Sequence, residues 1–378
     1  MSSKWELGGS NVKLMARSIP YYILGAAGHA PDPKIAKLDI TYKCHLRCQM
    51  CFYWSQNTCT KTENIIKASG EELSFTDIEQ CLIPQLNDVD LEYFSISGGE
   101  PLVRGDIYDI LSLCGQQEFR TSLNSNLYRV GKDEAKQLVD SGVFNIQSSL
   151  HGTPEIHDFI VRKKGSFDNI VNAIRYIQDY KRKTQAGCPR LTICCVISKH
   201  NQYNLVQTLN LVKELEVDTL FFHFIEWQNK QSLKDCDRKS RAEMTEQEIL
   251  QVDAGILMSQ IEEIMSISKS LKTKVFFHPL DYPFTKEQLE QWHHDPEFSQ
   301  VKKCFYLWME TRIDPYGWVL PCYYIDQPMG NIKMQELKDI WNCGSYRDLR
   351  KQISNGLLPM CYKCCKLSRQ WQNFLFHI

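Results

Sequence analysis

The stretch Thr41–Trp54, TYKCHLRCQMCFYW, carries three cysteines within eight residues, Cys44, Cys48 and Cys51, spaced C-x-x-x-C-x-x-C. In a long chain without an export signal, clustered thiols point to metal or redox chemistry rather than to disulfides. Four thiolates close a structural zinc or iron–sulfur site, and three leave one position open. Three cysteines alone are an unusual zinc set, because structural zinc takes four protein ligands. In an iron–sulfur cube, three ligands from one loop hold three irons and leave the fourth free for a small molecule. A second group lies near the other end of the chain. Cys304 and Cys322 are followed by PMCYKCC, which supplies Cys361, Cys364 and Cys365. Two separated thiols plus a C-x-x-C complete a four-ligand site, and that spacing is open between zinc and an iron–sulfur cluster.

These groups need a scaffold, and the sequence supplies an alternation. Residues 1–36 form an irregular lead-in in which VKLMARSIPYYIL reads as helical. From residue 37, short apolar-biased runs over 37–42, 91–97, 119–125, 144–150, 189–198 and 218–227 read as strands. Segments with a 3.6-residue apolar period lie between them. They cover 75–89 with Thr76 as N-cap, 107–117, 132–142 closed by Gly142, 166–183 with Ser166 as cap, and 204–216. Six β–α steps imply a parallel sheet with right-handed crossovers, curled into an open, TIM-like partial (β/α)6 barrel of the α/β class. Such folds place chemistry at the C-terminal ends of their strands, and the cysteine loop directly follows the first strand. A charged helical stretch at 228–272 precedes KVFFHPLDYPF, a seventh strand or extended segment. From Lys302, cysteines return with Gly and Pro punctuation. The expected organisation is an extension (1–36), a barrel with connecting helices (37–301) and a small metal-stapled domain (302–378).

Composition narrows the function. Lys and Arg number 44 against 45 Asp and Glu, so no basic surface argues for nucleic acid or acidic membranes. No apolar run is long enough to span a bilayer, and the N-terminus lacks a secretory signal. A cytoplasmic, reducing location follows as the expectation. Of the 16 cysteines, Cys59, Cys81, Cys114, Cys188, Cys194, Cys195 and Cys236 lie outside both groups and read as small buried hydrophobes. Late-strand residues His223, Glu226, His278, Asp281 and Tyr282 are the titratable candidates for a proton-handling role between the two cysteine groups.

The three-cysteine loop resembles the cluster loop of the radical S-adenosylmethionine superfamily. The resemblance implies a 4Fe–4S cluster on Cys44, Cys48 and Cys51 whose open iron chelates the amino and carboxylate groups of S-adenosylmethionine. In that family an electron from the cluster breaks a sulfonium C–S bond. The resulting 5′-deoxyadenosyl radical takes a hydrogen atom from an unactivated C–H bond, so the cofactor carries the hard chemistry. Met50 stands where the family usually has an aromatic residue near the adenine, and methionine is a soft apolar substitute. SISGGEPL is similar to the family's GGEP segment, in which the backbone of Gly98 and Gly99 and the side chain of Glu100 hold the amino group. In the same way Ser125 and Asn126 of SLNSN are implied at the ribose. Ser149 and Arg162 are implied as further contacts, Arg162 pairing with the cofactor carboxylate. His151 replaces the usual Asp of that segment, so no role of that Asp carries over. Asn201 of ISKHN is a further polar contact.

IDPYGWVLPC, MGNIKMQELKDIWN and the C-x-x-C that follows resemble the auxiliary-cluster domain called SPASM, or its shortened form, Twitch. The full form has two further cysteines, which here fall at Gln370 and Phe374. The resemblance therefore implies one auxiliary 4Fe–4S cluster, on Cys304, Cys322, Cys361 and Cys364, with Cys365 as rival for the last place and Cys343 a helix-end residue. That cluster would pass electrons, and a low-potential donor such as flavodoxin or ferredoxin would supply them. Together the two resemblances cover about residues 37–365. The function they imply is oxidation or rearrangement of a small molecule. A peptide-modifying maturase is the first alternative, against which only 36 residues precede the first strand. A non-enzymatic metal-binding protein is the second.

Overall fold

The computed structural model describes residues 28–54, 59–227, 251–325 and 327–368. The helix expected in the lead-in, residues 228–250 of the charged stretch, Cys236, Gln370 and Phe374 lie outside the described residues. Ten strands make one sheet: β1 Ile35–Thr41, β2 Tyr93–Gly98, β3 Arg120–Asn124, β4 Asn145–Ser149, β5 Arg190–Ile197, β6 Thr219–Phe224, β7 Lys274–His278, β8 Glu310–Ile313, β9 Trp318–Leu320 and β10 Gly330–Asn331. Their spatial order is β10-β9-β8-β1-β2-β3-β4-β5-β6-β7. The first seven strands run parallel, each beside the next, as the α/β partial barrel requires. The sheet also grows in the other direction. β8 pairs parallel with β1, bringing Arg312 opposite Lys37, and β9 and β10 follow antiparallel. The cysteine-rich C-terminal segment thus adds strands to the barrel sheet itself.

Alternation along the strands sets what lies on each face. Leu38, Ile40, Phe94, Ile96, Leu123, Ile146, Ile193, Leu220 and Phe222 are buried in the apolar layer shared with the helices. The residues between them, among them Lys37, Ser95, Ser122, Asn124, Gln147, Cys194 and His223, line a cavity instead. A polar ladder crosses this inner face. Asn145 Nδ2 donates to Ser122 Oγ at 3.0 Å, and Thr192 Oγ1 donates to Asn145 Oδ1 at 2.9 Å.

The helices before the C-terminal segment are, among the described residues, α1 Cys59–Ala68, α2 in three pieces (Phe75–Asp77, Ile78–Leu82 and Ile83–Asp88), α3 Ile107–Gly115, α4 Lys132–Asp140, α5 Pro154–Val161, α6 Ser166–Thr184, α7 Leu205–Glu214, α8 Ala254–Ser268 and α9 Lys286–His294; the C-terminal segment adds α10 Leu337–Trp341 and α11 Gly344–Asn355. Two caps differ from expectation. Ser74, not Thr76, caps α2, in a reciprocal capping box with Asp77. Ser166 is the first helical residue of α6 rather than its cap. The Asp158 carboxylate, reaching from α5, accepts the Gly165 and Phe167 N–H groups. The middle piece of α2 is a widened π turn just before Pro84, which has no N–H to give a normal helical bond. Among the described residues no helix is long and apolar enough to cross a membrane.

His151 and His157 pack face to face after β4, with ring centroids 5.5 Å apart. Burial pulls their pKa values down from 6.5 to about 3 and about 4. Both rings stay neutral in the fold and act as acceptors, His157 Nδ1 from the His151 N–H and His151 Nδ1 from the Val196 N–H. Unfolded imidazoles protonate near 6.5, so on acidification the unfolded chain gains protons first. The stability these histidines contribute is therefore complete above pH ~6.5 and lost as pH falls through ~4. The urea midpoint should drop over that interval, and drop less steeply in His157→Gln. An equally steep acid dependence in that variant would contradict this account.

Candidate active site

The cysteine loop is built on a stem in which two backbones touch. Gly99 N–H donates to Thr41 O at 2.8 Å and Glu100 N–H to Lys43 O at 2.9 Å. A Cβ on Gly98 would lie 2.3 Å from Thr41 O, and one on Gly99 would lie 2.4 Å from Lys43 O. The room these glycines leave is thus filled by the stem of the loop, a closer approach than any side chain permits. Arg47 then stiffens the loop: its Nη1 donates to the Cys44 and Leu46 carbonyls at 2.8 Å, and its guanidinium lies 4.0 Å from the Trp54 ring centre. Gln49 docks the loop on the end of α5, donating from N to Ile160 O and from Nε2 to Phe159 O, both at 2.9 Å.

Burial pushes the Cys44 thiol up to about 12, and raises Cys48 and Cys51 as well. Cys48 is raised further by its two neighbours. Alone, such thiols stay protonated; a bound cationic inorganic group is what turns them into thiolates. Backbone N–H groups already aim at sulfur, Leu46 N at Cys44 Sγ (3.4 Å) and Trp54 N at Cys51 Sγ (3.2 Å). Among the described residues no group of three or more His, Cys, Asp or Glu side chains is arranged to hold a single metal ion. The donor set suits an inorganic cluster.

Glu100 is buried and its pKa is raised by that burial. Its Oε1 accepts from Leu102 N (3.0 Å) and Ser125 Oγ (2.7 Å), and its Oε2 accepts from Asn126 N (2.8 Å). Glu100, Ser125 and Asn126 therefore form one network at the ends of β2 and β3. One of the implied contacts is held elsewhere by its own bonds. Asn201, fully buried, donates from Nδ2 to Val196 O (2.8 Å) and His151 O (3.2 Å) and accepts from Ser198 N (2.7 Å). Both of its amide donors are spent, so it braces the loop after β5 instead of offering a contact. Arg162 caps α5 in a left-handed conformation with an exposed side chain, two residues beyond the carbonyl that anchors Gln49. Ser149 ends β4 opposite Cys194.

A cavity of about 320 Å³ runs from Met50 and Phe52 on the cysteine loop to Cys322, Cys364 and Cys365. Met50 packs against Ile225 and Trp227 on its wall. Of the proton-handling candidates, His223, Glu226 and His278 line this cavity, with His223 Nε2 and Glu226 Oε1 3.2 Å apart and the two imidazole centres 5.3 Å apart. Asp281 and Tyr282 do not line it. The Asp281 carboxylate accepts from Ser368 Oγ at 2.5 Å and so ties down the C-terminal segment, and the Tyr282 ring packs edge-on to Phe284.

Five charged lining or near-lining groups are not singled out by the sequence reading. Asp39 and Arg312 form a buried ion pair that Tyr53 joins through its hydroxyl. Lys366 lies 3.7 Å from Glu310, both nearly excluded from solvent. Lys37 sits 4.8 Å from the Tyr323 ring centre. The signal was present in KLDITY, where Lys37, Asp39 and Thr41 alternate with apolar residues. Among the C-terminal cysteines, burial raises Cys304 to about 12 and Cys322 to about 11. Cys364 and Cys365 adjoin and both face the cavity. Cys343 caps the helix Gly344–Asn355, as a helix-end residue should.

Residues 38–221 match the radical SAM superfamily, and residues 304–365 match SPASM, an iron–sulfur cluster-binding domain. With the cysteine loop and its stem, these matches define the class: the chain belongs to the radical SAM superfamily. It carries a SPASM domain, and its cofactors are S-adenosylmethionine and two 4Fe–4S clusters. It is similar to the mycofactocin maturase MftC of Mycolicibacterium smegmatis, 30% identical over 166 residues, which are 43% of this chain and 37% of that protein. That match thus spans little more than a third of the relative's length. It is also similar to the AdoMet-dependent heme synthase of Methanosarcina barkeri, 23% identical over 327 residues, 84% of this chain and 85% of that protein. The fold is shared with SuiB of Streptococcus suis (TM-score 0.64, 15% identity, 96% of this chain and 79% of that chain). It is shared too with anSMEcpe with bound AdoMet (TM-score 0.59, 16% identity, 90% and 95%).

The glycine stem yields a direct expectation. Gly99→Ala forces a Cβ into two carbonyl oxygens and should displace the cysteine loop, lowering the iron retained after anaerobic reconstitution, whereas Gly105→Ala, with open space around it, should not. Equal iron in both variants would contradict the role given to the stem.

Proposed function

We propose that the chain is a radical SAM enzyme acting on a small molecule in the cavity between its two cysteine groups, by oxidation or rearrangement. The observation that carries the reading is a continuous cavity bordered at one end by Met50 and Phe52 and at the other by Cys322 and Cys364. Its volume lies at the low end for ligand pockets, enough for a compact substrate group. Cys44, Cys48 and Cys51 are the ligands of the catalytic cluster, and Cys304, Cys322, Cys361 and Cys364 those of the auxiliary one. When bound, the catalytic cluster and S-adenosylmethionine supply a carbon-centred radical able to take a hydrogen atom from substrate.

The chain's own residues bind, orient and handle protons. Glu100 has three protein donors, which leaves a lone pair on Oε2 for the cofactor ammonium. Arg162, at the turn that anchors Gln49, reaches for its carboxylate. Met50 and the Ile225–Trp227 wall cover apolar surface and exclude water. His223, held by Glu226, is the group placed to accept a proton from a substrate intermediate. A low-potential donor of the flavodoxin or ferredoxin class supplies electrons.

A peptide substrate is the second reading. It is favoured by the resemblance to a maturase and to SuiB, a fold relative whose structure was determined bound to the precursor peptide SuiA. In that case a single side chain enters the same cavity.

Anaerobically reconstituted protein should be brown, hold about eight irons per chain as two four-iron clusters, and release 5′-deoxyadenosine from S-adenosylmethionine under reduction. Cys44→Ala should lose that release and about half the iron, while Cys361→Ala loses a similar share of iron yet still cleaves the cofactor. Colourless zinc protein, or wild type that yields no 5′-deoxyadenosine, would end the catalytic reading. Deuterium carried into 5′-deoxyadenosine from labelled small molecules, or only from labelled peptides, separates the two substrate readings.

A further inference from the structure

Among the described residues, one cation lining the cavity stands without a carboxylate partner. Arg312 is matched by Asp39, and Lys366 by Glu310. Lys37 projects from β1 into the same space, and among the described residues its ammonium has no hydrogen-bond acceptor and no carboxylate within ion-pair distance. Its one close partner is the face of Tyr323. The carboxylates that attract it at longer range, Glu310 and Asp39, are each engaged by another cation. Burial and the nearby Lys366 pull its pKa down to about 8, which still leaves it charged at neutral pH. An ammonium offers three donors, and a half-buried cation facing a cavity with none of them used on protein is a binding group for an acceptor.

We propose that Lys37 anchors a carboxylate of the substrate, with the reacting end of the molecule turned toward His223 and Glu226. The inference rests on the catalytic reading above and names one end of its substrate. Two features set the chemistry. Neighbouring lining groups on the adjacent strands, Ser95 and Ser122, are neutral, and Glu310 stands on the other side. One uncommitted cation among neutral donors and a carboxylate suits a monoanion; a phosphate dianion calls for several cations or a cradle of backbone N–H groups. The position of Glu226 fixes the orientation. It follows β6, on the same cavity but with β2–β5 standing between β1 and β6 in the sheet, so its carboxylate repels the substrate's acid end and attracts a donor.

The test uses the reconstituted, S-adenosylmethionine-loaded full chain and calorimetric titration with glutaramate, the monoanionic half-amide of glutaric acid, with the neutral diamide glutaramide, and with the capped peptide acetyl-Gly-Glu-Gly-amide. Glutaramate should bind wild type more tightly than glutaramide does, by roughly ten-fold or more, the worth of one charge-assisted hydrogen bond. Lys37→Met should lose that difference and Lys37→Arg keep most of it, with iron content and basal 5′-deoxyadenosine release unchanged in both. Binding of the capped peptide in place of glutaramate, lost in Lys37→Met, would keep the anchor and assign the acid to a peptide. Equal binding of glutaramate and glutaramide, full glutaramate binding by Lys37→Met, or no binding of either acid to wild type would overturn the proposal. Failure of wild type to release 5′-deoxyadenosine would strike the catalytic reading instead and leave the anion measurement intact.

Discussion

The buried ion pair between Asp39 and Arg312 is the constraint on which the rest of the site depends. Asp39 is on β1, five residues before Cys44, and Arg312 is on β8, 273 residues away in the chain. Both side chains are almost wholly excluded from solvent. A lone charge at that depth costs several kcal/mol, and removing one partner of such a pair typically costs about 3–5 kcal/mol. β8 can therefore lie against β1 only in the register that brings the guanidinium to the carboxylate. A slip of one residue would turn Arg312 toward the apolar layer of helices. Tyr53, two residues past Cys51, joins the pair through its hydroxyl, and the Tyr323 ring lies 4.0 Å from the guanidinium. One cluster of four side chains thus ties the first strand, the end of the cysteine loop and the residue after Cys322 together.

That seam explains why a barrel interior can be polar here. A closed (β/α)8 barrel fills its middle with layers of branched apolar side chains. In this open sheet the inner positions carry Ser95, Ser122, Asn124 and Gln147, whose hydrogen-bonding groups would be costly in a packed core. They are tolerated because they pair with one another across strands or face a cavity. The apolar driving force comes almost entirely from the outer face, where strand and helix side chains merge into one cluster.

What could be read from the sequence was whatever is local. The strand and helix alternation is periodic, and the cysteine loop announces itself by spacing. The C-terminal cysteines could be counted, though the two adjacent ones at 364 and 365 both face the cavity and sequence alone does not separate them. Errors arose where a distant partner decides. SFTD holds two hydroxyls able to cap α2, and only the reciprocal bond from Asp77 selects Ser74. The cap of α6 comes from Asp158 on the preceding helix. Asp281 looked like a group of the cavity because it follows β7, yet Ser368 claims it. Asn201 looked available and is fully spent on backbone. Gly98 and Gly99 read as places where backbone approaches a ligand, and the partner the structure shows there is the chain's own backbone at the end of β1 and the residues after it. Lys37 and Arg312 acquire meaning only when β8 is known to lie beside β1.

The sheet extension by β8, β9 and β10 divides the labour of the molecule along its length. The match to the radical SAM superfamily ends at residue 221, whereas Glu310, Tyr323 and Lys366 arrive from the tail. The two walls therefore come from separate stretches of the chain, and a substitution on the tail's wall reshapes the cavity from a side remote in sequence from the cysteine loop. The tail carries one obligation, the guanidinium of Arg312, because without it the Asp39 carboxylate is left stranded at the foot of that loop.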